Sequence, residues 1–147
     1  MQLIDNIADL LMEVHLFEMA YQRKVIVNRI RALSFQIASH VIKIYLYPTN
    51  TALRGWEKEI QAWVADLSHM RYDGTKKLKE SDYFKLLYSE PFIGSDIVEL
   101  VYSMSVKNGL PKIKDGVIID HKIKSFYEKL AKELSGKSVF VDISNLI

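Results

Sequence analysis

The 147-residue sequence contains no cysteine, only three prolines and six glycines, and no long unbroken apolar run. Without cysteine there are no disulfides, no thiolate metal sites and no cysteine nucleophile, a usage that suits a reducing compartment. The longest apolar-rich stretch, residues 25–47, is interrupted by Asn28, Arg29, Arg31, Gln36, His40 and Lys43. That is too polar for the roughly 20 apolar residues a bilayer core demands. The chain opens MQLIDNIADLL, with acids where a secretory leader carries its positive charge, and we expect a cytoplasmic protein with no membrane partner. Excess charge of one sign is also missing. Twenty Lys and Arg stand against eighteen Asp and Glu. The balance is local as well: residues 1–74 hold eight of each, and residues 75–147 hold twelve bases and ten acids.

What remains is an apolar content of 49% with 26% charged residues, enough for one buried core under a solvated surface. Residues 3–20 space Ile7, Leu10, Leu11, Val14 and Phe17 by threes and fours, which predicts an amphipathic helix with these residues inward. A second, stronger helix is predicted over about 22–47, with the stripe Ile26, Ile30, Leu33, Ile37, Val41 and Ile44 and a stop at Pro48. Leu53, Trp56, Ile60, Trp63 and Leu67 define a third helix, which Asn50 or Thr51 is placed to cap. Residues 68–80 read as an exposed basic loop around Asp73-Gly74, and a short helix follows from Ser81-Asp82 to Tyr88. Ile97, Leu100, Val101 and Met104 form the stripe of the next helix, which Asn108-Gly109 and Pro111 end. Ile123, Phe126, Leu130 and Leu134 form that of the last. An extended or β element is admissible around Asp115-Gly116 or at 138–143.

The expected architecture is therefore an all-α single domain over 1–147, with five or six helices. Its core is predicted to contain Leu33, Ile37, Val41, Trp56, Ile60, Trp63, Leu100, Val101, Phe126 and Leu130.

His40-Val41-Ile42-Lys43, then Pro48, then Trp56 with Ile60 four residues later, form an ordered set preceded by Arg29-x-Arg31. The segment from Glu99 to Pro111 ends Asn108-Gly109-Leu110-Pro111. Over roughly 29–111 this arrangement resembles the bacterial helical family catalogued as domain of unknown function twenty-nine. The resemblance implies a helical core and carries no activity with it. Residues 112–147 have no counterpart in it.

Chemistry-bearing motifs are sparse. His40 and Lys43 share a helix face and could both reach one phosphate or carboxylate, but no nucleophile or second acid–base group is tied to them by spacing. His15 and Glu18, with Glu13 or His69, are too loosely spaced to define a metal site. Glu57 and Glu59 diverge around a helix, and Asp96 and Asp120 read as caps. Phosphate-cradling glycine loops and the Gly-x-Ser-x-Gly elbow are absent. These observations predict a protein that is not an enzyme and carries no metal or cofactor.

Two partner classes stay open. One is a cognate protein toxin, which would make the chain a bacterial immunity or antitoxin protein. The binding residues expected for it are Tyr72, Lys76, Lys77, Lys79 and Tyr83, with Glu128 and Glu133 on the exposed side of the last helix, in an interface of roughly 1,200–2,000 Å². The alternative is a nucleic acid, contacted by Arg23, Lys24, Arg29, Arg31 and the loop lysines, with Tyr45, Tyr47 and Tyr72 for stacking. Oligomeric state is not legible from these patterns.

Overall fold

The computed structural model describes residues 2–70, 77–88, 95–112, 120–136 and 140–147, in an all-α arrangement. Five helices follow in order: α1 (Gln2–Leu46), α2 (Leu53–Ser68), α3 (Glu80–Leu87), α4 (Ser95–Lys107) and α5 (Asp120–Ser135), and a 3-10 turn spans Ile143–Asn145. Among the described residues there is no strand; the expected β turn at Asp115-Gly116 lies outside them, and residues 140–142 lead as irregular chain into the 3-10 turn.

The two N-terminal helices expected from periodicity are one. No glycine, proline or capping residue stands at Ala20-Tyr21-Gln22 to interrupt the ladder, so α1 runs for 45 residues. At 1.5 Å per residue it is roughly 68 Å long. A compact chain of this length has a radius of gyration of only about 15 Å, so the rest of the protein cannot cover the whole helix.

The covered part is its C-terminal half. Ile30, Leu33, Ile37, Val41, Ile42 and Ile44 are buried there, with α2 packed most extensively along them and α3, α4 and α5 completing the surround. α3 and α5 pair, placing Tyr83 and Leu87 against Phe126, Tyr127, Leu130 and Leu134 in the same core. Buried polar contacts tie the layers together: Ser34 Oγ donates to the Leu87 carbonyl at 2.5 Å, and the Tyr127 hydroxyl donates to the Ser34 carbonyl at 2.5 Å. Gln61 on α2 clamps the C-terminal segment, donating from Nε2 to the Val141 carbonyl at 2.7 Å and accepting from the Ile143 N–H at 3.1 Å. Val141, Ile143 and Leu146 are thereby held in the core.

Helix ends follow the local chemistry. Asn50 Oδ1 accepts from the Ala52 N–H at 2.8 Å in the turn ahead of α2, but Ala52 is the cap residue and no side chain caps the helix, so the cap expected from Asn50 or Thr51 does not form. Asp82 accepts from the Lys79 N–H at 3.1 Å at the start of α3. After α4, Gly109 takes φ +95° and the Leu110 N–H reaches back to the Ser105 carbonyl at 2.9 Å, a left-handed exit that only glycine adopts cheaply.

Four core expectations need correction. Leu100 and Met104 are about half exposed, because Ile97, Val98, Val101 and Ser105 turn the buried face of α4 to the other side. Trp56 and Trp63 pack on the core from its edge, half-buried, while Ile60, Val64 and Leu67 fill its centre.

Candidate functional site

Of the binding residues expected from the sequence, Lys79 and Glu128 are brought together. They line a groove between α3 and α5 with Glu80, Ser81, Phe84 and Ala131. Lys77 and Glu133 are exposed. Tyr72 and Lys76 lie outside the described residues. Tyr83 does not belong to any surface: it is fully buried and its hydroxyl donates to the Met70 carbonyl at 2.9 Å. The four-residue step from Tyr83 to Leu87 sets both on the inward stripe of α3, which is why a partner cannot reach it.

His40 and Lys43 sit where α1 meets α2. His40 Nε2 lies 2.5 Å from Glu59, and the ring packs edge-on against Trp63 with centroids 4.8 Å apart. Lys43 Nζ lies 5.9 Å from the Trp56 ring centre. Burial is the main influence on the imidazole, followed by the Lys43 charge; together they outweigh Glu59 and hold its pKa below the ordinary 6.5. The lowered pKa favours the uncharged ring at neutral pH; Nε2 faces Glu59, and Nδ1 is buried over the preceding turn beside the Gln36 carbonyl. A histidine so arranged fastens α1 to α2 and has no exposed base to offer a substrate. Phe35, Gln36 and Ser39 border the shallow groove beside it.

Among the described residues no cluster of three His, Asp or Glu side chains is placed to hold a metal ion. His15 and Glu18 are both exposed on α1.

The stripe that periodicity assigned to the interior lies on the surface. Ile7, Leu10, Val14, Phe17, Tyr21 and Val25 are spaced by threes and fours along α1, and each is between 47% and 73% exposed. Leu11 adds further uncovered apolar surface beside them, and Met12 and Leu16 are exposed on the opposite side of the helix. On an unbroken helix of 3.6 residues per turn, this stripe lies about 150° around from Ile30 and Ile37. A face phased to the core at one end of α1 is thus phased to solvent at the other. Met12, in phase with Ile30, is 64% exposed as well, so projection beyond the core uncovers this half whatever its phase, and the missing break at residues 20–22 is the signal that could have found the site in the sequence. No helix is long and apolar enough to cross a membrane among the described residues.

Comparison with protein-family models, with curated proteins and with solved structures finds no match to this chain.

Proposed function

We propose that this chain is a non-catalytic protein-binding module whose contact surface is the projecting half of α1. The observation that carries this reading is the apolar seam of residues 7–25. Soluble proteins rarely leave so many large apolar side chains contiguous in water, and patches of this kind mark protein contacts. The charge next to the seam favours protein over nucleic acid. Asp5, Asp9, Glu13 and Glu18 are the only charged side chains among the first 22 residues, and they repel phosphate. The buried Nδ1 of His40 adds support for a role without catalysis.

In its most concrete form the module is a bacterial immunity or antitoxin protein that covers a cognate toxin. Aromatic anchors such as Phe17 and Tyr21 suit such a blocker, because they bury large area at small entropic cost. Lys79 and Glu128 in the α3–α5 groove offer a polar surface to set orientation and association rate. Co-expression with the toxin-like product of a neighbouring gene tests the proposal. Cells carrying both proteins should survive, and Phe17→Glu should abolish protection. Equal killing with and without this chain rejects the immunity role.

A further inference from the structure

We propose that the projecting half of α1 pairs antiparallel with the same helix of a second copy. The inference rests on reading this helix as a protein-binding face and names the occupant it takes when no other partner is present. The seam Ile7, Leu10, Val14, Phe17, Tyr21, Val25 has the three- and four-residue spacing of the a and d positions of a two-stranded coiled coil over most of its length. Its residues are roughly half exposed. At about 150–250 Å² for an aromatic side chain and somewhat less for an aliphatic one, the exposed half of six from each copy, with Leu11 at the flank, amounts to on the order of 1,200 Å². That reaches the range of specific interfaces.

Charge selects both the occupant and its direction. The four acids Asp5, Asp9, Glu13 and Glu18 precede Arg23, Lys24, Arg29 and Arg31, and the two groups do not overlap. Asp5, Asp9 and Arg23 lie on the far side of the helix; turned end for end about Phe17, a second copy brings its Lys24 beside Glu13 of the first on one flank of the seam, and the reverse contact repeats by symmetry. Parallel alignment instead sets acid beside acid and base beside base. It also brings Glu13, flanking the seam on one side, against Glu18 of the other copy, flanking it on the opposite side. Exposed charge pairs add little affinity, but they decide orientation. A copy of this chain is thus complementary to the face in shape, polarity and charge. A toxin bound at the same seam would displace it.

The test uses the full chain. Sedimentation velocity from about 1 to 200 µM should give a monomer–dimer equilibrium with the 17.0 kDa chain as its unit. Phe17→Glu should raise the dissociation constant at least about tenfold. Urea unfolding followed by the fluorescence of Trp56 and Trp63, both on α2, should be unchanged in that variant at monomer concentrations. Because the chain has no cysteine, Asn6→Cys accepts a single spin label. Antiparallel pairing places two such labels about 30–35 Å apart along the axis, given 1.5 Å per residue. A label distance under about 20 Å overturns the antiparallel arrangement, and a dimer indifferent to Phe17→Glu overturns the seam. A chain that stays monomeric at 200 µM overturns self-pairing. If that monomer still binds a toxin, and loses it on Phe17→Glu, the protein-binding role stands without it; loss of both rejects the role as well.

Discussion

Two serines buried to nearly the same degree, Ser34 and Ser105, should respond oppositely to alanine. Ser34 Oγ donates to the carbonyl of Leu87, the last residue of α3. That carbonyl cannot accept the usual four-residue helical bond, because the residue four places on is Pro91, which lacks an N–H. Ser34→Ala therefore strands a buried acceptor, at a cost of about 1–3 kcal/mol. Ser105 Oγ donates to the Val101 carbonyl at 2.7 Å, but this group keeps the N–H of Ser105 itself as its helical partner. Ser105→Ala strands nothing and gains helix propensity, so its effect stays within about 0.5 kcal/mol. For a chain of this length each kcal/mol moves the melting temperature by about 2–4 °C. The expected result is a drop of about 3–10 °C for Ser34→Ala and under about 2 °C for Ser105→Ala, measured by far-ultraviolet circular dichroism. Equal shifts would refute the assignment of cost to the stranded carbonyl.

Tyr83→Ala should cost about 3–5 kcal/mol in urea unfolding by opening a core cavity, which excludes it as a selective binding variant. Gln61→Ala removes both hydrogen bonds to the C-terminal segment; limited proteolysis should then cut within 137–147 at protease levels that leave the parent chain intact. His40 adds a pH dependence whose sign is fixed by its lowered pKa. The unfolded chain takes up its proton first, so the stability is present above about 6.5 and is lost as pH falls below it. The urea midpoint should decline between pH 7.5 and 5, and His40→Gln should remove part of that decline; a steeper decline in the variant contradicts the assignment.

How much of this was legible in the sequence depended on the kind of signal. Ile30, Leu33, Ile37, Val41, Phe126 and Leu130 were found because a helix stripe in contact with neighbours must be apolar at steps of three and four. The exit of α4 was found because Asn108-Gly109 meets a conformational need that few residues satisfy. Tyr83 was misplaced for a different reason. Its hydroxyl suggested surface, whereas a single carbonyl, that of Met70, is enough to let a tyrosine be buried. Contacts such as Ser34 with Leu87 join residues 53 positions apart, and no local pattern announces them.

The projecting stripe shows why periodicity alone was insufficient there. A hydrophobic period states that a helix has an apolar side; it does not state what covers that side. Two helices of about 20 residues could each rotate their stripe inward, and that freedom made residues 3–20 look like core. Joining them at Ala20-Tyr21-Gln22 removes the freedom, because one rigid ladder fixes the phase of both halves together. Once Ile30 and Ile37 face inward, Val14 and Phe17 must face outward, and at roughly 68 Å the helix outruns what the remaining helices can cover. Among the described residues nothing covers the apolar side chains of the projecting half. The unbroken junction at residues 20–22 is consequently the feature that converts an ordinary core pattern into an exposed surface.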